Sequence, residues 1–218
     1  MNVPAGMSSY SDDPETWPEY RRAIKRELDE AGIPEDTVWQ LVNSRNDYPQ
    51  AVPIMIDWLQ HIDERVPAGE DRQTLREGLV RNLITKHAKG NRAAIDILFH
   101  QLEIEPPLTR FELEPVGYAL FEILERSDFP RVAAVIRSDR DFPTKSWLVR
   151  WIGRFKTEEA KELAVSQLPN PATRDAAMAA LVRQKATGVR DAVAVYLDNE
   201  HEVWRKEARK TLEKLPKD

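Results

Sequence analysis

The sequence predicts an all-α protein, a right-handed α-solenoid of roughly five helix pairs. Three observations carry that expectation. Apolar residues fall at helical spacing along most of the chain, no segment alternates with the period of two that a half-buried strand needs, and the helical stripes recur. A helix pair cannot bury its apolar face without a neighbour, so recurring stripes mean stacked repeats. An N-terminal helix and a C-terminal capping helix are expected to bracket the array.

Composition narrows the possibilities. Of 218 residues 41% are hydrophobic, which supplies a core, and 32 bases against 37 acids leave a net charge of −5. The chain as a whole is therefore not a polycation built for nucleic acid. With no cysteine it has no disulfide, no thiolate metal site and no cysteine nucleophile. No run approaches the ~18 consecutive apolar residues of a membrane span, so no membrane partner is expected. The N-terminus has no basic segment leading into an apolar one, which makes a cytoplasmic location the expectation.

The elements follow in order. Residues 1–15, rich in Ser, Asp, Pro and Gly, are expected to be a disordered leader, and 16–218 a single repeat domain. A first helix is expected over Trp17–Ala31, with Gly32 as its left-handed end. Ile54, Met55, Trp58, Leu59 and Ile62 form one apolar stripe, and Ala94, Ile95, Leu98, Phe99 and Leu102 repeat it 40 residues later. Between them Leu75, Leu79, Val80, Leu83 and Ile84 mark a helix within 71–92, closed by Gly90. The Pro106-Pro107 break sits in a longer connection, Glu103–Leu113, that explains the long early period.

In the second half Leu148, Trp151, Ile152 and Phe155 share one face of a helix over Lys145–Lys156. Ala177, Ala180, Leu181 and Gln184 repeat that face 29 residues on, and Ala208, Thr211, Leu212 and Leu215 do so after a further 31. Asp47-Tyr48-Pro49, Asp128-Phe129-Pro130, Phe142-Pro143-Thr144 and Asn170-Pro171 each precede a stripe, where proline costs nothing and Asp or Asn can cap. His201–Leu215 closes the array.

From Ala51 onward the chain resembles the HEAT-like repeat family of α-solenoids. The segments that carry the likeness are AVPIMIDWL (51–59), LVRWIGRFKTEEAKELAVSQL (148–168), AALVRQKATGVRDAVAVYL (179–197) and EVWRKEARKTLEKL (202–215). Together they match the family pattern of an Ala-Leu-Gly helix end, a short turn and a second helix reading Ala-Val-x-x-Leu. The resemblance implies a fold and not a function, because members include protein-binding scaffolds, DNA glycosylases, di-iron hydroxylases and bilin lyases.

Metal binding is the sharpest catalytic alternative. Asp57-x-x-x-His61 and Asp96-x-x-x-His100 each place an acid and an imidazole one turn apart, on what are expected to be neighbouring second helices. The pairs are 39 residues apart while their core stripes superpose at 40. One residue rotates a pair by about 100° around its helix, so the two should not converge. Each is expected to be a surface salt-linked pair, with no metal and no cofactor. The di-iron branch of the family carries His-Glu within Val-Arg-His-Glu-Ala, whereas this chain has Trp204-Arg205-Lys206-Glu207-Ala208, and His201-Glu202 stands ahead of that position in a helix cap. No catalytic residue is assigned.

Two binding surfaces are expected instead. Between 71 and 92 six bases stand against two acids, with Arg81, Lys86 and Lys89 outside the core stripe, a strip that can meet phosphates. His87 falls inside that stripe and is expected to be a core histidine. Residues 103–125, with six glutamates against Arg110 alone, weaken long-range attraction for nucleic acid. The second surface is Trp147, Arg150 and Arg154, one edge of the Lys145–Lys156 helix outside its core stripe. Trp and Arg dominate binding interfaces, so this edge is expected to contact an acidic or aromatic partner segment. The expected function is non-catalytic: a scaffold that binds a protein partner on the concave face of the second helices. Nucleic-acid binding by a glycosylase-related scaffold, and a HEAT-type enzyme such as a metal-dependent hydroxylase or a lyase-like protein, are the alternatives.

Overall fold

A computed structural model describes residues 14–138 and 144–217. The expected leader lies almost wholly outside the described residues, as does Phe142-Pro143. Among the described residues there are thirteen α-helices, a few short 3-10 turns and no strand. The chain divides into two compact units, Met1–Leu124 and Glu125–Asp218.

The first unit holds α1 (Glu19–Glu30), α2 (Val38–Val42), α3 (Ala51–Gln60), α4 (Ile62–Arg65), α5 (Glu70–Asn82), α6 (Arg92–His100) and α7 (Arg110–Ile123). Side-chain caps start several of them. Thr37 accepts from the Gln40 amide, Asn91 from the Ala94 amide, and Thr109 forms a reciprocal capping box with Glu112. Helices α1, α3 and α6 follow one another in one layer, and α2, α5 and α7 in the other; α3 packs on α5 and α6 on α7. The expected stripes face this core: Met55, Trp58, Leu59, Ile62, Ala94, Ile95, Leu98, Phe99 and Leu102 are all buried. Helices α3 and α6 are indeed neighbours, but each is the first member of its pair rather than the second.

Two departures from expectation concern α5. The helix ends at Asn82, and residues 86–88 form a separate 3-10 turn capped by Thr85. Arg76, a charged residue, is buried at 4% exposure. Its Nη1 donates to Gln101 Oε1 at 2.7 Å and its Nη2 to Asp63 Oδ1 at 2.9 Å, so a partner from α6's end and one from α4 offset the desolvation. Burial still depresses the guanidinium below its ordinary value, with Asp63 opposing the shift.

The second unit holds α8 (Phe129–Arg137), α9 (Lys145–Ile152), α10 (Glu158–Ser166), α11 (Arg174–Gln184), α12 (Arg190–Ala194) and α13 (Glu202–Lys214). Helices α8 and α9, α10 and α11, and α12 and α13 pack as pairs, while α9, α11 and α13 lie side by side as one layer. Most positions of the predicted stripes are buried, with Leu212 half-buried. Leu148, Ala177 and Ala208 are fully buried, and so are Trp151, Ala180 and, nearly, Thr211. Phe155, Gln184 and Leu215 take the last position of each stripe and are also buried. Gln184 Nε2 donates to the Ile152 carbonyl at 3.2 Å, tying the end of α11 to the end of α9.

Helix α9 is shorter than expected. It stops at Ile152, and Gly153 then passes close against α11: a Cβ on Gly153 would stand 2.9 Å from Ala180 Cα and 3.1 Å from the Arg150 carbonyl oxygen. Phe155 still reaches the core from the turn that follows, with its ring 4.8 Å from those of Trp151 and Phe129.

Candidate partner-binding groove

Helices α9, α11 and α13 enclose a groove of about 640 Å³. Ala179 and Val182 of α11 and Val203 and Trp204 of α13 give it an apolar floor. Arg150 and Asp175 line one side and Glu207, Lys210, Thr211 and Lys214 the other. Val203 is 69% exposed, an apolar side chain that the fold itself does not cover.

Each wall follows from local chemistry. Glu202 in the first turn of α13 and Lys214 in the last match the helix dipole, and Ala208 and Thr211 are the buried residues that anchor the helix. Arg150 forms an ion pair with Asp175, which fixes α9 against α11. Glu207 and Lys210 pair at 3.5 Å along α13.

Trp204 is held from behind. Arg174, only 7% exposed, lies with its guanidinium carbon 4.8 Å from the Trp204 ring and 4.5 Å from that of Tyr196. Its Nε donates to the Leu168 carbonyl at 2.8 Å and its Nη2 to the Pro169 carbonyl at 2.9 Å. No carboxylate pairs with it among the described residues, so the cation is held by two rings and two carbonyls. This site escapes sequence reading because its parts come from α11, from the segment after α12 and from α13. The residue types were visible, but their convergence was not. Sequence reasoning treated the basic side of α13 as a polar cap and did not single out Val203.

The expected edge separates. Arg150 enters the groove, whereas Trp147, half-buried, and Arg154 are not among its lining residues. Arg154 lies beyond the end of α9, so it does not continue the edge of Trp147 and Arg150. Its carbonyl accepts from Arg126, whose guanidinium stacks 5.4 Å from the Phe155 ring.

The basic strip of the first unit also breaks up. Arg81 sits on α5 and pairs with Glu77 at 2.8 Å. Lys86 belongs to the 3-10 turn and pairs with Asp47 at 2.7 Å, while Lys89 follows the turn and is exposed. His87 is not in the core. The end of α5 at Asn82 breaks the helical phase that placed it there, and its Nε2 lies 2.9 Å from Asp47 Oδ2. Hydrogen bonds from Lys86 and then His87 hold the Asp47 carboxyl below the usual carboxylate range.

The two Asp/His pairs do not form a centre. Asp57 is engaged by Arg65 at 2.6 Å and by His61 Nδ1 at 3.3 Å, while Asp96 and His100 lie on the exposed side of α6. Among the described residues no three of His, Cys, Asp and Glu gather as a metal site would need. No helix among them is long and apolar enough to cross a membrane. No family model matches the chain, and no curated protein is similar to it.

Proposed function

We propose that the chain is an α-solenoid of HEAT-like helix pairs that binds another protein without catalysing a reaction, and that the groove of α9, α11 and α13 is where it binds. The observation that carries this reading is exposed Val203 beside half-buried Val182 and Trp204, in a groove that charged side chains also line. An apolar centre with a charged rim is the anatomy of a protein-binding surface. The three helices that form it are the second members of their pairs, the layer in which HEAT-like scaffolds present their partners' surface. Phosphate binding through residues 72–92 has less support, because Arg81 and Lys86 already have carboxylate partners and do not share a helix.

The test is a random-peptide phage library panned on the full chain and on Val203→Glu. Val203 is mostly exposed, so the substitution should change stability by less than about 0.5 kcal/mol and leave the melting curve in place. Binders should be recovered on the natural chain and lost on the variant. Recovery of the same binders on both would remove the groove as the binding site.

A further inference from the structure

The chemistry of the occupant follows from how charge is distributed in residues 125–218, and it rests on the binding reading above. Helices α9, α11 and α13 carry nine Lys or Arg against four Asp or Glu. Helices α8, α10 and α12 carry four of each. The excess of positive charge is therefore confined to the layer that forms the groove, in a chain whose net charge is −5.

Part of that charge is unspent. Three of the nine bases, Arg183, Arg209 and Lys214, have no ion-pair or hydrogen-bond partner among the described residues, and Lys214 lines the groove itself; buried Arg174 behind Trp204 adds a cation without a carboxylate. A layer of this sign lowers the energy of a carboxylate that docks on it and repels a basic partner. The floor decides between anionic partners. Nucleic acid is held chiefly through its phosphates, and here Asp175 and Glu207 line the groove together with Ala179, Val182, Val203 and Trp204. A peptide supplies what phosphates do not, an apolar side chain beside its carboxylates.

We propose that the groove takes an acidic segment of another protein, with an apolar or aromatic side chain on Val182, Val203 and Trp204 and carboxylates on Lys210 and Lys214. The size fits a short peptide segment, since clefts that take drug-sized ligands run from about 300 to 1,000 Å³. Trp204 is already fixed by Arg174, so little ordering is needed when the anchor enters.

The library selection at physiological salt is read for composition. Peptides that need Val203 should be net negative and carry at least one Trp, Phe, Leu or Ile. The tightest, made synthetically, should weaken about tenfold or more when its Asp and Glu become Asn and Gln. It should weaken similarly on a Lys210→Gln/Lys214→Gln chain, whose melting curve should stay close to the natural one because both lysines are exposed and no like-charge pair is created. Groove-dependent peptides of neutral or basic charge would overturn the acidic assignment and leave the binding reading standing. A selection in which nothing depends on Val203 would remove both. Displacement of the peptide by a thymidine oligonucleotide would give the groove to nucleic acid. Sedimentation showing self-association that Val203→Glu abolishes would give it to a second copy; either result overturns the proposal.

Discussion

Replacing Trp151 with Ala is expected to destabilise the second unit by about 3–5 kcal/mol, the usual cost of emptying a buried tryptophan site. The ring is 1% exposed and packs against Phe155, which packs on Phe129, so its loss leaves a cavity where three elements meet. Its indole N–H is buried without a hydrogen-bond partner. Trp151→Phe removes that unsatisfied donor along with part of the ring, so one loss offsets the other and the cost should fall well below that of Ala. Trp58 provides the contrast. Its Nε1 donates to Glu27 Oε2 at 2.8 Å, so Trp58→Phe loses a hydrogen bond as well as volume. Urea titrations followed by circular dichroism should rank Trp58→Phe as costlier than Trp151→Phe. The reverse order would show that packing, not indole satisfaction, governs both sites.

Gly153→Ala should be destabilising by about 1–3 kcal/mol, the range for forcing extra volume into a close-packed contact. Local propensity predicts the opposite sign, since Gly153 has right-handed helical backbone angles and Ala is favoured over Gly within a helix by about 0.5–1 kcal/mol. The added Cβ would meet backbone, Ala180 Cα at 2.9 Å, and backbone cannot rotate away as a side chain can. A lower melting temperature for Gly153→Ala, with a larger drop for Gly153→Val, is the expected result. An unchanged or raised melting temperature would mean that α9 and α11 separate at little cost.

The core of the second unit was legible because it is a periodic property. A stripe such as Leu148, Trp151, Ile152 and Phe155 announces its buried face through spacing alone, and its recurrence at Ala177 and Ala208 announces the neighbours. Helix ends were less legible. The end of α9 coincides with the close approach to Ala180, and α5 gives way to a separate turn capped by Thr85. Buried charges were least legible. The burial of Arg76 and Arg174 has no local signal, because they meet groups far along the chain, Gln101 for one, Tyr196 and Trp204 for the other. The Trp147 edge failed to extend to Arg154 for the same reason that α9 ended early.

The position of Trp204 also gives the protein a built-in optical reporter. Of the six tryptophans, Trp17, Trp39, Trp58 and Trp151 are buried and Trp147 is half-buried away from the groove lining, whereas Trp204 faces the groove. An occupant resting on Val203 strips water from the open edge of that indole while Arg174 keeps its other face fixed. The emission of Trp204 should therefore move to shorter wavelength as the groove fills, and a Trp204→Phe chain should be silent to the same titration. Occupancy then becomes measurable on the unlabelled protein, by light emitted from one wall of the groove.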